Sequence, residues 1–494
     1  MNNKCGWFKE AVFASNLPTL LKGYNIETLV SKSHSVECIT IHMDILTCAY
    51  AICDIIPNSK NEEISDESFS RIIEECNFVL DFKPKNRIYS LRNLGLIRNL
   101  RPSWFSIPIY EEILKPFNRE FNTEFGYSVE EVFKAISALT KFRSESSSIQ
   151  SNFQFPQELN AIVNDLTISV HDINSLEDIW DKLFIVFDNN ILLFLDYKVG
   201  DVFYSYLCRR LKKYKKFIYK KGHSIENLVE RKMTEFMPNS TIYKSYHIDG
   251  KEKDILVIHK NFGFCIECKS ASIRKSSIDW SQKNLFSDID KSYSQALSQI
   301  EEPFTLLSEG GKFQYKNNIH KVKAKDYYFG FIITDQVYSP FIRAAIDEVR
   351  VEQQDSLGQW HGNNIWIGSI IDFIFLLNVS KTPSILLDYF NHVRSVKDLR
   401  NTDEPESWLL YGMDTLMPNL LKIPKEHNFN LILNGFDWDK IKTDGFEYYR
   451  PFWLLRLEDI TNLDRLGRFA NAKNIIIQDK KRSIKLVKDR RNKI

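Results

Sequence analysis

The stretch KDILVIHKNFGFCIECK, residues 253–269, constrains the fold of this chain more than any other. Two short runs rich in Ile, Val and Phe flank the turn-like HKNF at 259–262, which is the pattern of two β-strands joined as a hairpin. Successive strand side chains point to opposite faces, so Cys265, Glu267 and Lys269 share one face while Phe264, Ile266 and Cys268 share the other. One face is a core face and the other carries a charge pair. If 259–262 is the loop, residue 258 pairs with 263, and the same register sets Asp254 opposite Glu267. A slip of one residue would send the two acids to opposite faces.

Two carboxylates directly opposite repel each other unless a positive charge lies between them. A hard divalent cation meets that need, and Mg²⁺ is commonly held by one or two carboxylates with waters and substrate phosphates. Such an ion polarises a phosphoryl group, and Lys269 could orient a water or stabilise charge on the phosphorus oxygens.

Length and composition set the frame. At 494 residues the chain suits about three domains. With 43% hydrophobic and 26% charged residues and a net charge of +2, it has the balance of an ordinary globular protein. Eight cysteines without disulfide-framework spacing, and a start lacking a secretion signal, point to a reducing, cytoplasmic setting. The apolar runs NILLFL (190–195) and IIDFIFLL (370–377) fall short of the roughly 18 to 20 residues that span a bilayer. The Cys265-x-x-Cys268 pair has no second pair at finger-like spacing, and strand geometry turns the two sulfurs apart.

Helical periodicity dominates residues 1–150, as in ITIHMDILTCAYAI (39–52) and SVEEVFKAISAL (128–139), followed by a Ser-rich break at 143–157. Residues 151–220 read as a helical connector that includes a basic helix. Residues 221–378 read as a mixed α/β domain. Its strand candidates are TIYKSYHI (241–248), the two hairpin strands, YYFGFIITD (327–335) and NIWIGSI (364–370), with helical SPFIRAAIDEVRVEQQ (339–354) between the last two. Residues 379–494 read as a helical region with the basic tail KKRSIKLVKDRRNKI (480–494).

Upstream of the hairpin, KGHSIENLVERKMTEFM (221–237) is a helix with Ile225, Leu228, Val229 and Met233 as its apolar stripe. Glu226 and Glu230 lie on one side of it, and either could add a third carboxylate. Downstream, DIDKSYSQALSQI (288–300) is helical, and Gln295 lies off its stripe, with Gln299 a second candidate to reach the lysine.

This order of a helix acid, a strand with Asp254, a strand with Glu267-Cys268-Lys269 and a helix with Gln295 resembles the PD-(D/E)XK nuclease superfamily. GHSIENLVE together with KDILVIHKNFGFCIECKS is particularly similar to its nuclease-related and restriction-type branches. The resemblance covers residues 220–375 and implies a restriction-endonuclease-like α/β core, a mixed central sheet flanked by helices, between large helical N-terminal and C-terminal regions. It also implies that Asp254, Glu267 and the main-chain carbonyl of Cys268 bind Mg²⁺ or Mn²⁺, that Glu226 is the helix acid, and that Lys269 is the catalytic lysine assisted by Gln295. The family's proline is absent, Lys253 standing before Asp254.

The segment RRLKKYKKFIYKK (209–221) carries Arg209, Arg210, Lys212, Lys213, Lys215, Lys216, Lys220 and Lys221 and no acid. With Phe203, Leu207, Leu211, Tyr214 and Ile218 as a helical stripe, its basic faces suit nucleic-acid phosphates. No phosphate-binding GxxxxGK[ST] loop, GxSxG elbow or HExxH helix is present; the nearest to the first is EGGKFQY at 309–315. The expectation is a metal-dependent deoxyribonuclease without a membrane anchor. It would act in defence against foreign DNA, as a homodimer or with a partner protein, so as to cut two antiparallel strands with one site per chain. The competing expectation is a non-catalytic nucleic-acid-binding or scaffold protein that keeps the fold.

Overall fold

The structure, a computed structural model, describes residues 6–24, 40–53, 64–81, 102–143, 148–150, 155–173, 181–187, 190–193, 196–270, 295–335 and 365–395, with isolated residues between these and up to 411. The expected helix at 339–354, most of the C-terminal helical region and the basic tail lie outside the described residues. The chain divides into two compact units, residues 1–225 with 272–288, and residues 226–271 with 289–494.

The first unit is helical at its start: α1 (Gly6–Ala14), α2 (Leu17–Leu20), α3 (Thr40–Ile52), α4 (Asp66–Asp81), α5 (Ser103–Leu114), α6 (Asn118–Phe125) and α7 (Val129–Arg143). The helical reading of 151–220 needs correction. After β1 (Ser148–Gln150) and α8 (Asn160–Asp165), the strands β2 (Thr167–Ser169), β3 (Phe184–Phe187) and β4 (Asn190–Leu193) join β1 in a four-stranded sheet of order β1-β4-β3-β2. Runs such as FIVF and NILL are too short for periodicity to separate strand from helix, and their aromatic and β-branched content favours the extended form.

The basic segment is not one helix. α9 (Asp196–Leu211) ends, a turn occupies 212–214, and α10 (Lys215–Phe236) begins anew. Phe203, Leu207 and Leu211 are buried as the stripe requires, but the break takes the next helix out of that phase, and Ile218 is 57% exposed. Ile225, Leu228, Val229 and Met233 are buried along α10 as expected.

The second unit is built on a seven-stranded mixed sheet of order β11-β10-β7-β6-β5-β8-β9. Its strands are β5 (Thr241–Ile248), β6 (Lys251–His259), β7 (Phe262–Lys269), β8 (Gly311–Tyr315), β9 (Asn318–Val322), β10 (Tyr327–Thr334) and β11 (Ile365–Ser369). Three tight hairpins set the antiparallel half. Asp249 and Gly250 turn with φ of 48° and 80°, Lys260 turns at 50°, and Lys316 and Asn317 at 47° and 65°. Left-handed backbone of this kind matches the twist of the strands it joins, which is why Asp-Gly fits the first turn. The β8–β9 hairpin has no counterpart among the strands expected from the sequence.

β7, β10 and β11 run parallel, and α11 (Gln295–Glu309) lies on the path from β7 to β10 and packs on both. Parallel strands need such a covering crossover, and β7 is buried along nearly its whole length. Gly263 shows how closely α11 sits: a Cβ there would stand 2.5 Å from Leu307 of that helix. On the core side, Phe331 of β10 gathers Phe264, Trp366, Phe373 and Phe390. α12 (Ile370–Ser380) starts on a cap in which the Ser369 hydroxyl accepts from the Asp372 amide at 3.0 Å, and α13 (Pro383–Ser395) comes after it.

Candidate active site

The hairpin pairs in the expected register, Ile258 with Gly263 through Ile255 with Ile266, although the strands run on through His259 and Phe262 and shorten the loop to two residues. The ladder stops at Ile255–Ile266. One step beyond it, where Asp254 and Glu267 would pair, the carboxylate of Asp254 accepts a hydrogen bond from the Cys268 amide at 2.7 Å. On the other side of β6, Ser245 stands between the Lys244–Ile255 and Tyr246–Lys253 pairs with a φ of 53°. A serine held in the left-handed region costs of order 1 kcal/mol or more, and here the departure from regular strand falls level with Asp254.

Glu267 is buried, 4% exposed, and accepts from Lys269 Nζ at 2.7 Å. The same ammonium donates to the side-chain oxygen of Gln299. This corrects the glutamine: Gln295 is exposed at the first position of α11, and Gln299, one turn further along the same face, is the residue that reaches the lysine.

Lys253, at the position of the missing proline, is 4% exposed. Its Nζ donates to the Gln299 carbonyl at 2.9 Å and lies 2.8 Å from Glu302 of α11. Lys251 reaches the other oxygen of Glu302 at 2.5 Å, and the two lysines hold that carboxyl below its usual range. The sequence gives no sign of the Lys253–Glu302 pair. The two residues belong to strand and helix segments more than forty residues apart, and only the packing of α11 on the sheet brings them together.

The electrostatics are those of crowded, dry carboxylates. Burial first, and then the nearby charge of Glu267, push Asp254 up to about 7. Burial also raises Glu267, against the pull of Lys269 and Lys253. Glu226, itself buried on α10, adds to the upward push on both acids and on the Cys268 thiol, which places the helix acid within electrostatic reach of the pair. Glu230 is turned elsewhere and pairs with Lys244 at 2.9 Å.

Among the described residues, no three His, Cys, Asp or Glu side chains are grouped so as to hold a metal ion. The donor set available is Asp254, Glu267 and the main-chain carbonyl of Cys268. It is all oxygen and carries two repelling charges, which suits a hard divalent ion that keeps several waters. The buried thiols of Cys265 and Cys268 are held protonated by their surroundings and offer no softer site.

The expected phosphate-binding residues are largely engaged inside the first unit. Arg209 pairs with Asp181, Arg210 with both Glu124 and Asp165, Lys213 with Glu124, and Lys216 with Glu120. Lys221 is buried with its ammonium over the rings of Tyr204 and Phe217. Lys212, Lys215 and Lys220 are exposed. No single helix among the described residues is long and apolar enough to cross a membrane. Comparison of the chain with protein-family models, with curated proteins and with solved structures finds no match.

Proposed function

We propose that this chain is a Mg²⁺-dependent nuclease with a restriction-endonuclease-like core that hydrolyses phosphodiester bonds of DNA in the cytoplasm. The observation that carries the proposal is the convergence at the end of β7. There Asp254 caps the Cys268 amide, buried Glu267 holds Lys269 at 2.7 Å, and Gln299 completes the lysine's contacts. A purely structural acid–lysine pair on a strand needs no second buried carboxylate beside it; two of them pushed toward neutrality together are costly unless the site binds a cation.

When bound, a divalent cation supplies polarisation of the phosphoryl oxygens. The chain does the rest. Asp254 and Glu267, with the Cys268 carbonyl, are the residues that would hold the ion. Lys269, kept in one orientation by Glu267 and Gln299, presents its ammonium to the charge that builds on the phosphorus oxygens, or to the attacking water. Lys253 and Glu302 keep Gln299 seated.

The test incubates wild type and Lys269→Ala with labelled duplex DNA, single-stranded DNA and RNA in Mg²⁺, Mn²⁺ or EDTA. Cleavage should require metal and fall about 10²-fold or more in the variant, and the cut substrate names the nucleic acid. Calorimetry should show that Asp254→Asn no longer binds Mg²⁺. Cleavage indifferent to both EDTA and Lys269→Ala would sink the proposal. Nucleic-acid binding without any cleavage, unaltered in Asp254→Asn, would make the chain a binding protein that keeps the fold.

A further inference from the structure

Residues 310–325, GGKFQYKNNIHKVKAK, hold five lysines and no acid. They fold as the β8–β9 hairpin, with β9 the edge of the seven-stranded sheet. Its two faces differ. On one, Phe313, Tyr315 and His320 pack with Tyr243, the Phe313 and His320 rings stacked at 5.4 Å and Tyr243 meeting Phe313 at 4.8 Å. On the other, Lys312 stands directly opposite Lys321, and the next pair on that face is Gln314 with Ile319.

Like charges directly opposite across a strand pair destabilise it, so the arrangement calls for an anion. Lys312, Lys321 and Lys323 are all exposed, and among the described residues no carboxylate pairs with any of them, while Lys316 in the turn lies over the Tyr315 ring of the other face. Ile319, in their midst, is 75% exposed. The ring packing beneath fixes the ribbon, so these charges are displayed from a braced surface.

We infer that the lysine face of this hairpin binds the phosphate backbone of the nucleic acid whose cleavage is proposed above. The identity of the ligand rests on that reading; the surface itself does not. Its position fits a contact flanking the cut. A row of paired residues crosses the sheet from Glu252, two residues from Asp254, through His247 and Gln314 to Ile319. β9 therefore lies three strand spacings from β6, about 14 Å. Gly311 and Phe313 share the α11 side of the sheet with Glu267 and Lys269, so the lysines face the opposite side. The span is still well within one turn of a duplex, about 34 Å, and a nucleic acid that passes around the β9 edge meets both. Edge strands also carry lysines as protection against strand-to-strand aggregation. That use does not account for Lys312, which sits on β8, inside the edge.

The experiment measures binding in EDTA, without turnover, of the full chain to a short labelled duplex and a labelled single strand across salt concentrations. The proteins are wild type, Lys312→Gln/Lys321→Gln, Lys312→Arg/Lys321→Arg, and Lys269→Ala. Removing one phosphate contact lowers the duplex salt slope by about 0.9. The slope of the glutamine pair should therefore be smaller by about 1.8, so that its deficit in affinity shrinks about 12-fold between about 50 and about 200 mM salt. The arginine pair should bind as wild type. An unchanged slope in the glutamine pair overturns the inference, as does aggregation of that variant with its affinity intact, or binding of the lysine face to acidic protein or anionic vesicles with no nucleic-acid affinity in the wild type. The two readings fail separately. In the metal-dependent cleavage assay described above, run on the same proteins, loss of cleavage in Lys269→Ala with an unaltered slope in the glutamine pair leaves the nuclease standing without this surface, and a lowered slope with no cleavage by any protein leaves the surface without the nuclease.

Discussion

Asp254 carries the clearest pH signature in the molecule. Its folded pKa, about 7, lies above that of an unfolded aspartate, so the folded chain keeps its proton longer than the unfolded chain does. Stability is therefore full below about pH 4 and declines as pH rises toward about 7. Thermal melts in EDTA should fall across that window. Asp254→Asn should flatten most of the decline and melt higher than wild type near pH 8. Because a bound cation needs both carboxylates ionised, Mg²⁺ should raise the wild-type melting temperature more at pH 8 than at pH 6, and should not raise that of Asp254→Asn. A Mg²⁺ shift independent of pH would contradict the site. Asp254, Glu267 and Lys269 are legible in the sequence because strand period and hairpin register are local rules. Gln299 is legible only as one of two choices, since periodicity gives the face of a helix but not which turn lies over the site. Lys253 reads in the sequence as a departure from a pattern, yet it is a buried cation tied to Glu302.

At the scale of elements, the seat of α11 on β7 decides whether Gln299 meets Lys269. Gly263 is where that seat is tightest, with a Cβ falling 2.5 Å from Leu307 and 3.1 Å from Lys325. Leu307 is fully buried and has little room to move. Gly263→Ala should cost about 1–3 kcal/mol by overpacking, read as a lower urea midpoint with an unchanged slope. It should also reduce activity, because lifting α11 draws Gln299 from the lysine. Unaltered stability would mean the helix is not seated as described. Strands β5, β6, β7, β10 and β11 are readable from concentrated β-branched and aromatic runs. The β8–β9 hairpin is not, because its exposed face replaces apolar residues with lysine and leaves a weak alternation. The break at 212–214 is hidden for another reason: the spacing of apolar residues continues across it, while the helix does not.

For the molecule as a whole, the net charge of +2 says little about where positive charge is available. The most basic segment by sequence is largely neutralised within its own unit by Glu120, Glu124, Asp165 and Asp181. Those acids lie 28 to 96 positions away in sequence, and no local pattern announces which of them will arrive. Arg210 is the central tie, at 2.8 Å from both Glu124 and Asp165. The Glu124 side chain is only 2% exposed, so removing the guanidinium leaves a covered acid with Lys213 and Tyr214 as its remaining partners. Arg210→Ala should therefore destabilise the protein by about 1–2 kcal/mol, a range kept low because the arginine itself is half in water. Nucleic-acid affinity and its salt slope should stay as in wild type, since a charge already balanced at 2.8 Å releases few counterions on meeting a phosphate. The opposite result, an unchanged melting temperature with the salt slope lowered by about 1, would return the segment to the phosphate-binding role its composition suggests. It would also mean that these ion pairs open when nucleic acid binds.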